Sequence, residues 1–493
     1  MDLTVTLGAV AGVLLLAVLA VRISDRVGLP SLLLYLAIGL VLGQPVVGIP
    51  FVDARLTETL GIAALVLILV EGGMTTRWST VRPALGLGLV LSTVSVAVSI
   101  AVTGGLLHLF LDLGWRTALL WGAVLSSTDA AAVFSVLRSV AVPRRLAGTL
   151  ELESGINDAP VVIAVVVLAG SGPIGWTTPL LVVYELAAGT VIGVLLGLGG
   201  AWALRRAALP ATGLYPLASI AVCLLAYAGG QAVHASGLLA TYCCALVLGN
   251  CRMPHRSGVL SFAEGTGWLA QIGLFVLLGL YVDPHGLPAA VLPAVIAAGV
   301  LLLAARPLSV LVAALPFRVP LREQAFLSWA GLRGAVPIVL ALIAVTEAGP
   351  GYEPLVDVVF VLVVILTVVQ GTTLPWVGRI LGVVSRTGTH TVEVDSAPLD
   401  EVGAELLQVR VPQGSRLHGV YLRELRLPVG ATVSLIVRDR TPFTPGGEAR
   451  LREGDQFLVV STREVRDAAE QRIRDVDRGG KLVRWHSGRR RSS

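Results

Sequence analysis

The sequence predicts an all-α polytopic membrane protein of about thirteen transmembrane helices, followed by a small α+β domain. Of its 493 residues, 55% are hydrophobic and only 14% are charged. The mean hydropathy of +0.82 excludes an ordinary soluble domain. Apolar runs long enough to cross a bilayer recur up to residue 380, and a charged, alternating pattern replaces them after residue 386.

Charged or Pro/Gly-rich breaks separate the apolar runs, and one crossing needs roughly 20 residues. Cutting at these breaks predicts thirteen spans, at residues 4–21, 30–48, 58–74, 83–110, 116–137, 150–171, 178–204, 212–230, 236–251, 266–282, 288–314, 323–347 and 354–380. Gly229, Gly230 and His234 separate the two short spans of segment 212–251. We therefore expect a transmembrane domain over residues 1–385.

The distribution of arginine predicts the orientation, because short cytoplasmic loops carry an excess of Arg and Lys. Arginine pairs such as Arg205 and Arg206 follow the odd-numbered spans, whereas the connections after even-numbered spans hold only Arg55 and Arg116. The N-terminus is therefore expected outside and the C-terminus in the cytoplasm. The formal net charge is only +5, and many basic residues lie at span ends, so no nucleic-acid partner is expected.

Four polar residues, Ser126-Ser127-Thr128-Asp129, interrupt the fifth span. A continuous helix facing lipid would leave such groups unsatisfied, so the pattern predicts a broken helix that lines a cavity. Asp129 would offset the positive N-terminal end of a half-helix. A carboxylate at membrane depth costs about 2.5–3.5 kcal/mol, which makes it a functional-site hypothesis.

A second interruption, at residues 328–337, lies in the twelfth span, where two glycines and a proline flank Arg333. Paired broken helices in two halves of a chain indicate inverted repeats and a transporter site. The alternative is that the glycines and the proline only permit close helix packing. Arg333 needs a counter-charge, and Glu153 is the candidate partner in a structural clamp.

The sixth span contains Glu153, Ser154, Asn157 and Asp158, in two pairs four residues apart that lie on neighbouring helix faces. A hydroxyl and a carboxylate then converge as hard oxygen ligands for a small monovalent cation or a proton. If the two ions exclude each other at Asp158, their opposed fluxes are coupled. Because Asn157 is neutral, we expect one proton per cation and no net charge movement. A structural helix-pairing carboxylate is the alternative for Asp158.

Other roles and classes of function remain open. Glu71, near the cytoplasmic end of the third span, belongs either to the ion path or to a snorkelled helix end. A ligand-regulated cation channel would usually show a carbonyl filter or an acidic ring, and no TVGYG-like filter occurs. An intramembrane aspartyl protease would pair Asp129 with Asp158 but would leave Arg333 without a role. The four cysteines lack zinc-ligand spacing.

The last part of the chain has a soluble pattern. After a linker at 386–400, we expect strands near 406–411, 431–437 and 456–460 and helices near 418–425 and 463–475. These elements make a small α+β module at 401–477. The basic, Ser/Gly-rich tail at 478–493 is expected to be disordered or to lie near anionic lipid.

Two sets of motifs carry a family resemblance. Val70–Gly73, Leu125–Phe134, Glu153–Asp158 and Gly331–Pro337 together resemble the monovalent cation:proton antiporters of the NhaP type, and most closely the cell-volume-regulation potassium/proton antiporters. Val411–Ser415, Leu422–Leu425, Leu427–Gly430 and Leu451–Val460 resemble the TrkA-C domain, the C-terminal domain of potassium-conductance regulators. The resemblance covers nearly the whole chain.

The first resemblance implies a homodimer in a bacterial inner membrane. Each protomer would exchange a cytoplasmic monovalent cation, potassium in preference to sodium, for an external proton by moving a six-helix transport bundle. The residues that match the cation ligands of the family are Asp158, Ser154, the backbone oxygen of Thr128, and Glu71. Those that match its stabilising polar cluster are Glu153, Asn157 and Arg333.

The second resemblance implies regulation by a small ligand, such as a cyclic dinucleotide or another nucleotide. No βαβ unit with a dinucleotide fingerprint precedes the module, so binding of a nicotinamide cofactor is not expected. The expected activity is transport without a cofactor rather than enzymatic catalysis.

Overall fold

A computed structural model describes residues 3–27, 30–43, 53–129, 142–170, 172, 175, 177–349, 351–383, 394–399, 404–412, 414–439, 441–462 and 465–479. The chain divides into two compact units, Met1–Ser385 and Arg386–Ser493. Each unit has its own apolar core.

The first unit is helical. Its helices are α1 Leu3–Val27, α2 Ser31–Leu42, α3 Ala54–Thr75, α4 Trp78–Val81, α5 Leu85–Ser92, α6 Val94–Leu111, α7 Trp115–Ser126, α8 Arg144–Ile156, α9 Asp158–Ala169, α10 Thr177–Arg206, α11 Leu214–Ala232, α12 Gly237–Asn250, α13 Arg256–Tyr281, α14 Leu287–Val300, α15 Arg306–Ala314, α16 Leu321–Trp329, α17 Ala335–Ala348 and α18 Glu353–Ile380. A π-helical segment, Leu301–Ala305, joins α14 to α15.

Each of the thirteen predicted spans overlaps one or more of these helices. Among the described residues, eight helical segments are long and apolar enough to cross a membrane, and four shorter apolar helices accompany them. The second half of the predicted span 116–137 lies outside the described residues. The prediction of a mostly helical membrane unit is confirmed.

Small residues bring the helices of this unit close together. A Cβ atom on Gly39 of α2 would lie 2.1 Å from the carbonyl oxygen of Val276 in α13, and one on Gly279 would lie 2.3 Å from that of Leu36. Lipid gives apolar helices no hydrophobic reason to associate, so close backbone approach and van der Waals packing supply the contact. The outward faces remain apolar, as on α10, where Leu180 and Val183 are exposed.

The two interrupted spans meet through their backbones. Helix α7 ends at Ser126 and is followed by extended backbone at Ser127, whereas α16 ends at Trp329 and α17 begins only at Ala335. Within these interruptions the N–H of Asp129 donates to the carbonyl of Leu332 at 3.0 Å. The interruptions therefore satisfy each other's polar groups inside the protein, as helix breaks at membrane depth require.

The described part of the second unit forms a five-stranded antiparallel sheet with two helices. The elements are β1 Val394–Leu399, β2 Ala404–Arg410, α19 Leu422–Leu425, β3 Ala431–Arg438, β4 Thr441–Phe443, β5 Gln456–Thr462 and α20 Arg466–Gly479. The strand order is β1-β2-β5-β3-β4. Phe457 and Val459 of β5 are fully buried, as is Ile473 of α20 in the same apolar core.

Strand β1 differs from the expectation, because it lies in the segment expected to be a linker. It forms an antiparallel hairpin with β2, pairing Val394 with Val409 and Leu399 with Ala404. The sequence of β1 has no clear alternation of apolar and polar residues, and its Pro398 is typical of an edge strand. Pairing with β2, rather than local propensity, makes this segment a strand. The predicted tail lies outside the described residues beyond Gly479.

An ion pair links β3 to the turn before β5. Arg438 donates from Nε and Nη2 to the two carboxylate oxygens of Asp455, each at 2.8 Å. The hydrogen bonds and charge of Asp455 raise the pKa of the Arg438 guanidinium. The backbone N–H of Arg452 donates to the same carboxylate at 2.7 Å, so Asp455 also closes the turn.

Candidate functional site

Asp129 lies at the N-terminus of α17. Its Oδ2 atom accepts the backbone N–H of Ala335, the first residue of that helix, at 2.9 Å. A helix N-terminus carries partial positive charge and free N–H groups, so a buried carboxylate is stabilised there. A Cβ atom on Gly334 would lie 1.7 Å from this oxygen. Glycine at position 334 is therefore what lets the carboxylate reach the helix end.

Arg333 has the complementary position at the C-terminal end of α7. Its Nη1 atom donates to the carbonyl oxygens of Ser126, at 3.0 Å, and Ser127. The last carbonyls of a helix have no partner within the helix and carry partial negative charge. The Arg333 side chain is only 2% exposed. The guanidinium is thus stabilised by a helix end, and the backbone carbonyl of Arg333 accepts the hydroxyl of Thr367 at 3.1 Å.

Asp158 is the first residue of α9 and faces the interruption after α7. It is 3% exposed, and its Oδ1 atom accepts the hydroxyl of Ser127 at 2.8 Å. The sequence predicted that the hydroxyl of Ser154 converges on this carboxylate, and the structure gives that contact to Ser127. Ser154 lies in α8 and Asp158 begins α9, so the two residues do not share the continuous helix that the spacing argument assumed.

Thr128, Ser154 and Asn157 form the other part of the cluster. The Nδ2 atom of Asn157 donates to Thr128 Oγ1 at 2.5 Å, and Ser154 Oγ lies 3.5 Å from the same hydroxyl. All three side chains are about 1% exposed. The Oδ1 atom of Asn157 is buried and has no hydrogen-bond partner among the described residues. The cluster thus presents hydroxyl, amide and carboxylate oxygens at one buried place.

Among the described residues, Glu153 and Arg333 form no direct ion pair, although their charges interact electrostatically. Glu153 Oε1 instead forms an ion pair with Nη1 of Arg306 at 2.5 Å, and both side chains are almost fully buried. Arg306 also donates from Nη2 to the carbonyl of Leu327 at 3.3 Å. The helix end of α7 satisfies Arg333, and Arg306 therefore supplies the counter-charge for Glu153.

Sequence reasoning missed Arg306 and Ser127. Arg306 lies within the eleventh predicted span, and the rule that flagged Arg333 as an isolated charge in apolar surroundings applies to it equally. It follows directly on the π-helical segment Leu301–Ala305. Such segments shift the register of a helix face and occur frequently at functional sites. Ser127 belongs to a recognised motif, but its role depends on which face it turns towards.

Glu71 lies on a different pair of helices. It belongs to α3 and is half-buried against α13, where a Cβ atom on Gly267 would lie 2.8 Å from its side chain. Glycine at 267 leaves the room that this carboxylate occupies. The hydrogen bonds described above connect Thr128, Asp129, Ser154, Asn157, Asp158 and Arg333 to the two interruptions, and Glu71 lies apart from them.

Comparisons with known proteins agree with this architecture. Residues 12–380 match the family described as sodium/hydrogen exchanger, transmembrane, and residues 406–474 match the TrkA-C domain. The chain belongs to the sodium/hydrogen exchanger family. This exchanger is a cation/proton antiporter, and its relatives are transporters rather than enzymes.

Two curated relatives resemble the exchanger over most of their length. The K(+)/H(+) antiporter NhaP of Alkalimonas amylolytica is 37% identical over 442 residues, which cover 87% of this chain and 76% of the relative. The K(+)/H(+) antiporter NhaP2 of Shewanella oneidensis is 35% identical over 461 residues, or 90% of this chain and 79% of the relative.

A solved structure shares the fold of the exchanger. The sodium proton antiporter MjNhaP1 from Methanocaldococcus jannaschii superposes with a TM-score of 0.64 over 77% of this chain and 99% of that chain, at 21% sequence identity. At this level of identity the likeness shows the fold alone.

Proposed function

We propose that the exchanger is an electroneutral antiporter that exchanges a cytoplasmic monovalent cation for an external proton by competition at Asp158. The observation that carries this proposal is the buried Asp158 carboxylate, hydrogen-bonded to Ser127 at the crossing of two broken helices. Such crossings supply half-helix ends and freed backbone groups for ion binding. Asp158 either binds the proton or binds the cation.

The neighbouring groups support one exchanging carboxylate. Asp129 is held by the N-terminus of α17, and Glu153 is held by Arg306, so both have fixed partners. Asn157 is neutral and offers its Oδ1 atom, with the oxygens of Thr128 and Ser154, as a ligand. Glu71 would act on the ion path outside this cluster.

The charge balance sets the driving force. One proton exchanged for one monovalent cation moves no net charge, so the membrane potential does not drive the cycle. A pH difference of one unit then supplies about 1.4 kcal/mol per proton. Exchange should therefore respond to pH gradients and be indifferent to an imposed potential.

Potassium is the favoured cation. Two relatives at 37% and 35% identity are named K(+)/H(+) antiporters, and the TrkA-C domain resembles that of potassium-conductance regulators. Sodium is the alternative, because MjNhaP1 has the same fold and is named a sodium proton antiporter. Hard oxygen ligands bind both ions, and cavity size and ligand number discriminate between them.

We further propose the setting in which this exchange occurs. The exchanger would be a homodimer in a bacterial inner membrane, with its N-terminus outside and its C-terminus in the cytoplasm, as the arginine distribution favours. The TrkA-C domain would then meet the cytoplasm and gate exchange when it binds a small ligand such as a cyclic dinucleotide or another nucleotide.

The test uses purified protein in liposomes that carry a pH gradient. Potassium or sodium is added, dissipation of the gradient is recorded, and Asp158→Asn is measured in parallel. We expect potassium to dissipate the gradient and the variant to be inactive while remaining folded. Full exchange by Asp158→Asn would overturn the site, and a response to sodium alone would change the assigned ion.

A further inference from the structure

A cavity of about 90 Å³ adjoins the candidate site in the first unit. Helices α3, α9 and α17 line one side of it with apolar residues, whereas α10, α11 and the start of α12 line the other. Its lining includes Ala159, the neighbour of Asp158, and Val336, the neighbour of the Ala335 whose N–H donates to Asp129. The cavity therefore lies beside the two helix starts that carry the ion site.

The polar groups of this cavity lie on one side. They are Glu185 of α10, Tyr227 and Gln231 of α11, and Ser236 before α12. Among the described residues that line the cavity, Glu185 is the one carboxylate. It lies eight residues after Thr177, or about 12 Å along α10 from its start. An ionisable residue at such a depth is costly unless it has a function or a partner.

The backbone around Glu185 is held against the turn before α12. The carbonyl of Glu185 accepts the N–H of Ser236 at 3.1 Å, and the hydroxyl of Tyr184 donates to the carbonyl of Val233 at 2.8 Å. A Cβ atom on Gly189, one helical turn further on, would lie 2.6 Å from the carbonyl oxygen of Ser236. This close contact fixes the position from which the Glu185 side chain lines the cavity.

The neighbouring side chains supply further oxygen ligands. Gln231 donates from Nε2 to the hydroxyl of Tyr227 at 3.1 Å, which leaves the amide oxygen for another partner. His234, exposed in the turn, interacts electrostatically with Glu185. The opposite side, with residues such as Leu65, Val339 and Ile343, offers no polar side chain. A cation that enters this cavity would therefore be bound at Glu185 before it meets Asp158.

We propose that Glu185, with the oxygens of Gln231 and Tyr227, forms a second binding site for the transported monovalent cation, on the side of the membrane opposite the Arg205–Arg206 end of α10. This inference rests on the proposed exchange at Asp158 and adds a site on one of its two access routes. The Glu185 carboxylate raises the local cation concentration in this cavity. Its effect is therefore confined to one face of the membrane.

The test compares the two faces of the exchanger with Glu185→Gln. Potassium half-saturation of proton exchange is measured in right-side-out vesicles and in everted vesicles. We expect the half-saturating concentration at the outer face to rise about tenfold, equivalent to about 1.4 kcal/mol of lost binding free energy. The value at the cytoplasmic face and the maximal rate should stay unchanged, and Glu185→Asp should restore much of the outer affinity.

Glu347→Gln is the matched control. It removes the same charge from the exposed end of α17 on the same side of the membrane, but Glu347 does not line the cavity. Equal weakening at both faces, or an equal effect of the control, would overturn the second site. An inactive Asp158→Asn together with a silent Glu185→Gln would reject the second site and leave the proposed exchange intact. Active Asp158→Asn would instead reject the proposed exchange itself.

Discussion

Asp129 and Arg333 neutralise the ends of two helices that stop inside the membrane unit. Asp129 accepts the first N–H of α17, and Arg333 donates to the last carbonyls of α7. A charge at a helix end contributes about 0.3–2 kcal/mol, and the larger values belong to buried geometries. The two residues thus explain how broken helices persist where water is scarce.

Removing the Arg333 guanidinium should destabilise the exchanger. In Arg333→Met the carbonyls of Ser126 and Ser127 lose their donor, and each buried unsatisfied group costs about 1–3 kcal/mol. We expect a lower thermal unfolding temperature in detergent and little exchange. Arg55→Met, which removes an exposed charge, should leave both unchanged. An unaltered unfolding temperature for Arg333→Met would contradict the helix-end role.

Double variants can identify the partner of Glu153. Glu153→Gln leaves Arg306 buried without its counter-charge, and breaking a buried ion pair costs about 3–5 kcal/mol. Adding Arg306→Gln should recover part of this loss, as measured by thermal unfolding, because no unpaired charge remains. Adding Arg333→Gln should lower the stability further. If adding Arg333→Gln recovered the stability instead, Arg333 rather than Arg306 would be the main partner of Glu153.

At the scale of elements, the two interruptions act as one unit. Asp129 of the α7 interruption accepts the first N–H of α17, and Arg333 of the second interruption donates to the last carbonyls of α7. Each break therefore supplies hydrogen-bond partners to the other. The π-helical segment before α15 has a similar local effect, since Arg306 follows it and turns into the protein. Interrupted helices therefore place charges that continuous helices would direct into lipid.

The crossing should not tolerate a side chain at position 334. In Gly334→Ala the new Cβ would overlap the Asp129 carboxylate at 1.7 Å, so either Asp129 or the start of α17 must move. Such overpacking costs about 1–3 kcal/mol, and we expect proton exchange in liposomes to be largely lost. Gly273→Ala in α13 is the control, because open space surrounds that Cβ. Normal exchange by Gly334→Ala would show that the contact is dispensable.

At the scale of the molecule, the candidate ion site and the TrkA-C domain fall in separate units. The described residues of the candidate ion site all lie in Met1–Ser385, and the TrkA-C match lies in Arg386–Ser493. The sheet of the second unit buries its own core against α20. If the TrkA-C domain gates exchange as proposed, transport and gating belong to different units and can be tested separately.

Deleting the residues after about 390 should separate ion exchange from its response to a regulatory ligand. We expect the truncated chain to exchange potassium for protons in liposomes, and Asp158→Asn to abolish this exchange. Any effect of an added nucleotide or cyclic dinucleotide on the full chain should disappear. A truncated chain that is folded but inactive would show that the TrkA-C domain is part of the transport machinery.

Much of the candidate site follows from local sequence. Asp129, Asp158 and Arg333 are recognisable in the sequence because burying a charge in an apolar membrane segment costs free energy in any fold. Gly334 indicates a helix break. The hairpin strand β1 does not stand out, because it is a strand only by pairing with β2. The rule that flags an isolated charge in an apolar run identifies Arg306 as well as Arg333. The rule does not predict that the partner of Arg306 is Glu153.

The helical spans, the interruptions and the intramembrane carboxylates follow from the amino-acid sequence, because hydrophobicity and backbone propensity are local properties. The pairing of Glu153 with Arg306, 153 residues away, and the hydrogen bond from Ser127 rather than Ser154 to Asp158 depend on the packed fold. Partner choice depends on which helix faces meet. That geometry arises from packing between distant segments, and composition or spacing along one helix does not contain it.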